Sequence, residues 1–364
     1  MIKVIHVLTD TNIGGAGIWL MNYLSAADRS AFDISVALPE NALIEERIAA
    51  LGIRVHTVRG IADASFSKSG VSEFTRLFKI EKPDIVHCHA SLSARIAAKL
   101  CGIRVVNTRH CLEDAKPFPK NMIYGAINSA LSDAVIAVSG AVADNLRRDG
   151  IPERKLYLIY NGVKPLEKMS CEAKAAKRAE LGIPDGNTVV GIVARLEKVK
   201  RHDIFLSAAR ELRNEPITFL IIGTGSLEDK LKKAAADLGN VVFAGYYGNM
   251  SDIADVIDVC ALTSDTEACP LSLIEAMTLA KPCVSCAGGG ACEVISDGET
   301  GFVTKVGDAG ELAEKLLRLA KSPDERKTLG EAGKTAAQTK FSLSSMAGEI
   351  ESVYKSLANG GRNG

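Results

Sequence analysis

Short apolar runs alternate with helical runs along almost the whole chain, and this restricts the fold more than any other feature of the sequence. The run Ile2–Leu8 is largely apolar at successive positions, as in a strand buried on both faces. Repeated strand-then-helix units give a parallel sheet covered by helices on both sides, an α/β class. Strands are predicted over Ile2–Leu8, Asp33–Leu38, Arg54–Val58, Asp84–His89, Val105–Thr108, Ala134–Val138 and Lys155–Ile159, with helices between them. The Asn161-Gly162 turn and the charged stretch from Val163 to Glu180 break the pattern, so a domain boundary is expected within 162–170. The pattern resumes with strands over Thr188–Ala194, Thr218–Ile222, Val241–Phe243, Val259–Thr263 and Cys283–Ala287, and a helix near Ile253–Ile257. Helices near Gly310–Leu319 and Leu343–Leu357 close the chain, and Asn359–Gly364 read as a frayed tail. A chain of 364 residues is too long for one ordinary core, so two doubly wound domains are expected, with a cleft at the carboxyl ends of their strands.

Formal net charge is zero, which gives no support to a nucleic-acid partner. No apolar run approaches the ~18–20 residues of a membrane span. The N-terminus reads as a strand rather than a signal peptide, so a cytoplasmic location is expected. Nine scattered cysteines, an odd number, fit a reducing compartment. Cys283 and Cys286 form a C-x-x-C that reads as part of a buried strand, and neither a metal nor a cofactor is expected.

The segment Ser264–Ala280 carries the clearest chemistry. Pro270 suits the first position of a helix, and Leu271, Leu273, Ile274, Met277 and Leu279 supply its apolar run. Glu267 then lies in a loop and Glu275 about a turn and a half into the helix. Leu271 and Leu279 flank Glu275 at four positions either way, and no cation stands at three or four to pair with it. Glu275 is either an exposed rim residue or a carboxylate reserved for ligand hydroxyls. Arg195, Lys198, Lys200 and Arg201 crowd a strand end and a helix start, where cations oppose the helix dipole, so an anion such as a diphosphate is expected beside them. A solvated charged loop is the plainer reading.

Asn12-Ile-Gly14-Gly15-Ala-Gly17 sits between a strand and a helix, a phosphate-cradling arrangement. Leu20 occupies the position where the dinucleotide fingerprint needs Gly or Ala. His87 and His89 could ligate zinc, but no third ligand is predictably near, so ordinary hydrogen-bonded histidines are expected. His110 ends another strand and is expected to face the cleft. Gly288-Gly289-Gly290 either lets a ligand approach closely or forms a mobile turn. Lys116–Tyr124 mixes cations with apolar residues and reads as a lipid-surface contact or a solvated helix start.

Glu267-Ala-Cys-Pro-Leu-Ser-Leu-Ile-Glu275 resembles the E-x7-E signature of the retaining GT-B glycosyltransferases of family 4. The resemblance runs through Gly14-Gly15-Ala16, His87-Cys88-His89, Thr108-Arg109-His110, Tyr160-Asn161-Gly162, Ala194-Arg195-Leu196 with Lys200, Gly223-Thr224-Gly225 and Asp297-Gly298 to Phe302. It implies two Rossmann-like domains over 1–165 and 166–342, with a last helix, 343–358, returning to the first. It implies a metal-independent hexosyltransferase moving a hexose or N-acetylhexosamine from a nucleotide diphosphate sugar, UDP favoured and GDP-mannose the alternative. The acceptor would be a glycan or lipid-linked molecule of cell-surface polysaccharide synthesis, with a peripheral contact at the inner membrane face left open. Glu275 would accept from ribose hydroxyls, and Glu267 would hold the sugar with the backbone of Ala268, Cys269, Pro270 and Leu271. Arg195 and Lys200 would clamp the diphosphate, Gly14, Gly15 and Gly223 would approach the donor, and His110 would sit near the reacting sugar. Ala268-Cys269 stands where many relatives carry Gly-Phe, which places donor choice there. A nucleotide-sugar epimerase and a non-catalytic nucleotide-sugar-binding partner are the alternatives.

Overall fold

The computed structural model describes residues 1–114, 117, 119–286 and 288–360. The chain divides into two compact units, Met1–Gly162 with Ser342–Gly364, and Val163–Phe341.

The first unit runs β1 (Ile2–Leu8), α1 (Gly15–Ala26), β2 (Phe32–Pro39), α2 (Glu45–Ala50), β3 (Arg54–Val58), α3 (Lys68–Glu81), β4 (Ile85–His89), α4 (Leu92–Leu100), β5 (Arg104–Arg109), α5 (Lys120–Ala130), β6 (Ala134–Ala137), α6 (Gly140–Arg148) and β7 (Leu156–Leu158). Its seven strands pair in parallel in the order β3-β2-β1-β4-β5-β6-β7. The strand order reverses between β1 and β4, which leaves a crevice at their carboxyl ends. Serine side chains start several helices. Ser67, Ser91 and Ser139 each accept from the backbone N–H three residues on.

The second unit runs α7 (Cys171–Glu180), β8 (Thr188–Val193), α8 (His202–Glu211), β9 (Ile217–Ile222), α9 (Glu228–Ala234), β10 (Val241–Gly245), β11 (Val259–Leu262), α10 (Leu271–Thr278), β12 (Cys283–Cys286), α11 (Ala291–Val294), β13 (Gly301–Thr304), α12 (Ala309–Lys321) and α13 (Pro323–Lys340). Its six parallel strands follow β10-β9-β8-β11-β12-β13, with the reversal between β8 and β11. The last helix, α14 (Leu343–Asn359), belongs to the first unit. Its buried stripe of Met346, Ala347, Ile350, Val353 and Tyr354 packs in the core that holds Trp19, Tyr23 and Phe32. Gly162 is glycine for space, since a Cβ there would stand 2.6 Å from the Ser342 carbonyl oxygen.

Several expectations need correction. The helix expected near Ile253–Ile257 is a pair of 3₁₀ turns, Met250–Asp252 and Ala254–Val256. The charged stretch after Val163 contains a helix, α7, started by the Ser170 side chain. Helix α13 and strand β13 were not anticipated. Ala287, at the end of one expected strand, lies outside the described residues, as do 361–364 of the expected tail. Lys116 and Phe118 of the proposed lipid-contact segment also lie outside them. Of the rest of that segment, Met122 and Ile123 are exposed, and Tyr124 accepts a hydrogen bond from Arg109 at 2.7 Å. Among the described residues, no helix is long and apolar enough to cross a membrane.

Candidate active site

The polar groups of the second unit gather beside the β8/β11 reversal. After β8 the chain turns through Arg195 to a 3₁₀ turn, Lys198–Lys200, and α8. After β11 it runs through Ser264 and Glu267 to α10. Two bonds tie these loops together. Thr263 Oγ1 donates to the Lys200 carbonyl at 2.8 Å, and Asp265 N–H donates to the Val199 carbonyl at 2.9 Å.

Lys200 Nζ then lies 2.5 Å from Glu267 Oε1, and both side chains are largely buried. Ser264 Oγ donates to the same carboxylate oxygen at 2.5 Å. Arg201 pairs with Asp265 at 2.7 Å and with Asp203 at 2.9 Å. So the expected cluster of cations awaiting an anion is partly neutralised by carboxylates of this chain. Arg195 is exposed and, among the described residues, pairs with no carboxylate. The Glu267 backbone is clamped as well. Its N–H donates to the Gly288 carbonyl at 3.2 Å, and its carbonyl accepts from Gly290 N–H at 2.7 Å. A Cβ at Gly288 would stand 2.7 Å from the Asp265 carbonyl oxygen, and Gly289 has φ +63°. The three glycines therefore hold Glu267 in place, a role that neither sequence reading gave them.

Pro270 stands one position earlier than expected, at the N-cap of α10, with no side chain capping the helix. The first amides of that helix are left to ligands or water. Glu275 is half-buried on α10, and burial raises its carboxyl to about 7. Helix α13 packs closely behind α10. A Cβ at Gly330 would come within 2.0 Å of the Ala280 carbonyl oxygen. Gly223 has φ +138°, and a Cβ there would meet the Ala194 carbonyl oxygen at 2.1 Å. Gly223→Ala is thus expected to shift the Ala194-Arg195 backbone and cost about 1–3 kcal/mol, read as a lower Cm in urea unfolding. An unchanged midpoint would remove that role.

In the first unit a Cβ at Gly14 or Gly15 would meet nothing within 4 Å. Neither has positive φ, so neither packing nor backbone conformation requires glycine there. The space in front of α1 stays open.

His87 and His89 do have a third histidine beside them, contrary to expectation. The β1–β4 register sets His6 opposite His87, and nitrogens of His6, His87 and His89 lie within 4.8 Å of one another. These are the residues that could hold a metal. Their ring nitrogens are, however, already engaged. His6 Nδ1 meets His89 Nε2 at 3.1 Å, and His89 Nδ1 meets His110 Nε2 at 2.8 Å. Tyr354 Oη lies 2.5 Å from His87 Nδ1 and 3.2 Å from His6 Nε2, and His87 Nε2 lies 2.6 Å from Thr108 Oγ1. Burial holds His6 and His110 down near pKa about 3, and His87 and His89 well below the usual range. All nine cysteines are free, and the hydrogen bond with Cys260, together with burial, raises the Cys283 thiol.

Two doubly wound parallel sheets of this kind, with polar groups at the strand ends beside the order reversal of each, define the GT-B class of architecture. The chain belongs to the group 1, family 4 glycosyltransferases. The family described as Glycosyl transferases group 1 matches residues 173–336, and that described as Glycosyltransferase Family 4 matches 13–165. The chain is 25% identical over 307 residues to N-acetyl-alpha-D-glucosaminyl L-malate synthase of Bacillus anthracis, covering 80% of each. It is 24% identical to D-inositol 3-phosphate glycosyltransferase of Corynebacterium aurimucosum, over 94% of this chain and 90% of that one. Among solved structures, Anabaena Alr3699/HepE in complex with UDP-glucose superposes with a TM-score of 0.86 at 22% identity, over 98% of this chain and 100% of the other.

Proposed function

We propose that this glycosyltransferase moves a hexose or N-acetylhexosamine, with retention, from a nucleotide diphosphate sugar to a glycan or lipid-linked acceptor of cell-surface polysaccharide synthesis. A UDP-sugar is the favoured donor and GDP-mannose the alternative. The observation that carries the reading is the Lys200–Glu267 pair beside the uncapped start of α10, with Glu275 further along the same helix. Lys200, Arg195 and the helix-start amides would stabilise charge on the departing diphosphate. Glu267 would hold sugar hydroxyls together with the backbone of Ala268 to Leu271. Lys200 and Ser264 both bond to its Oε1, which leaves Oε2 to a sugar hydroxyl, and retention is assigned to same-face attack by the acceptor as the diphosphate leaves. In the first unit, His110, Gly14 and Gly15 are the groups we assign to substrate contact. The UDP-glucose complex of the Anabaena protein, and a UDP complex of Staphylococcus aureus TarM, support the choice of nucleotide.

A thermal-shift panel of UDP- and GDP-sugars is expected to show stabilisation by at least one, and a flat panel would sink the donor assignment. Product formed from donor alone would point to an epimerase, and binding without transfer or donor hydrolysis to a non-catalytic partner. With cations of the chain facing the diphosphate, turnover should persist in EDTA, and its loss would refute metal independence.

Glu275 adds a pH signature. Ribose hydroxyls favour the ionised carboxylate, whereas burial keeps it partly protonated near pH 7. Nucleotide-sugar affinity should therefore rise several-fold between pH 6 and pH 8, roughly tenfold per unit at most. Calorimetric titration of wild type against Glu275→Gln tests this, and an identical pH profile for the two removes Glu275 from the ribose site.

A further inference from the structure

We propose that Thr108, His87, Tyr354, His6 and His89 form a one-way hydrogen-bonded chain that fixes His110 as a neutral imidazole with its proton on Nδ1. The five links run in that order, from 2.5 to 3.2 Å. The two histidine–histidine links have the geometry of in-plane bonds. The His6 and His89 rings lie 12° apart at 5.5 Å, and the His89 and His110 rings 31° apart at 5.1 Å.

A neutral imidazole donates from one nitrogen and accepts at the other. A buried ring that donated twice would be a cation, and one that accepted twice an anion, and both are costly away from water. Tyr354 could break the run only by accepting from both His87 and His6 and sending its hydrogen to Tyr23, but among the described residues the buried Tyr23 hydroxyl stands at no hydrogen-bonding distance and angle to any group. So every link points the same way, and one end decides the sense for all. That end is Thr108. Thr108 is 1% exposed, and its hydroxyl, among the described residues, bonds only to His87. If His87 donated to it, the threonine hydrogen would be buried without an acceptor. If Thr108 donates, nothing is left over. The proton then sits on Nδ1 of His87, which gives to Tyr354. Tyr354 gives to His6 Nε2, His6 Nδ1 to His89 Nε2, and His89 Nδ1 to His110 Nε2.

His110 is partly exposed and is the link that reaches out of the core. The nitrogen the chain leaves over, Nδ1, carries a hydrogen and no lone pair. His110 is then a donor to an oxygen acceptor and not a general base. Its meaning for catalysis rests on the glycosyltransferase reading. There His110 would hold a sugar hydroxyl oxygen and would not deprotonate the acceptor. The other five residues are positioning residues, which act through His110.

The test is a long-range proton–nitrogen correlation spectrum of the full, ligand-free protein labelled at histidine, at pH 7.5. We expect His6, His87, His89 and His110 all to show a protonated Nδ1 and a bare Nε2, with the favoured form ahead by about tenfold or more. A proton on Nε2 of His110 overturns the proposal. Thr108→Val should release the preference and Thr108→Ser should keep it, a difference that a merely structural role for Thr108 would not produce. An unchanged pattern in Thr108→Val also overturns it. Because the spectrum is taken without ligand, its outcome is independent of the donor panel above.

Discussion

Replacing Lys200 by alanine is expected to lower kcat by about 10²–10³-fold while the protein stays folded under assay conditions. The size of the effect comes from preorganisation. The Lys200 carbonyl is held by Thr263 Oγ1 and its ammonium by Glu267 Oε1, so the cation is already placed before any substrate binds. Charge that develops on a leaving diphosphate would meet it without reorganisation. Arg195 is exposed and unpaired among the described residues, so it must be ordered on binding. Arg195→Ala is accordingly expected to cost nearer tenfold, since part of its interaction energy goes into fixing a rotamer-rich side chain. Stability should fall by about 1–3 kcal/mol in Lys200→Ala. The pair is largely buried, so the loss exceeds that of a surface ion pair, but Ser264 still donates to Glu267. Steady-state kinetics with the donor found in the panel, beside melting curves, measure both quantities. Equal losses in the two variants would refute the preorganised cation, and an unchanged kcat in Lys200→Ala would remove Lys200 from the reaction.

The two parallel sheets were legible because buried parallel strands need continuous apolar runs, and those runs stand out in the chain. Helix α13 was not, because its contact face is small. Gly330, Gly333 and Ala337 are buried in it, with Leu329 the large apolar side chain among its buried residues. Such a helix gives no apolar stripe to read. Its start did carry a signal, Ser322-Pro323-Asp324-Glu325, in which the serine hydroxyl accepts from Glu325 N–H.

The site divides in the same way. The isolation of Glu275 on its own helix was readable, because no cation stands one turn away. The pairing of Lys200 with Glu267 was not, because it joins residues 67 positions apart. Spacing shows that cations cluster but not which carboxylates meet them. The work of Gly288 to Gly290 depends likewise on a backbone contact with a distant loop. His6 escaped notice because only the strand order β1-β4 makes it a neighbour of His87.

That histidine cluster makes the first unit acid-labile in a way that ordinary surface histidines would not. His6, His87 and His89 are essentially inaccessible, and burial keeps each neutral in the folded chain far below the 6.5 of an exposed histidine. Between about pH 6 and pH 4 the unfolded chain therefore binds protons that the folded one refuses, so stability rises with pH and is lost on acidification. Each histidine contributes a slope of about 1.4 kcal/mol per pH unit once its unfolded form is charged, so these three with His110, which burial also holds near 3, give about 5–6. A domain stable by about 5–15 kcal/mol loses most of that within roughly two to three pH units, which sets an acid midpoint near pH 4–5. In the second unit Glu275 pulls the other way. Its raised carboxyl contributes stability below the ordinary 4.5, and this is lost as pH rises through about 7. The two units therefore need separate probes, and the chain supplies one. Trp19 is the single tryptophan, buried in the first unit with its ring 5.0 Å from that of His89. Urea unfolding followed by Trp19 fluorescence, repeated from pH 7 to pH 5, should give a slope approaching about 5 kcal/mol per unit at the acid end. A slope of about 1.4 or less would mean that no more than one of the four histidines stays neutral in the fold.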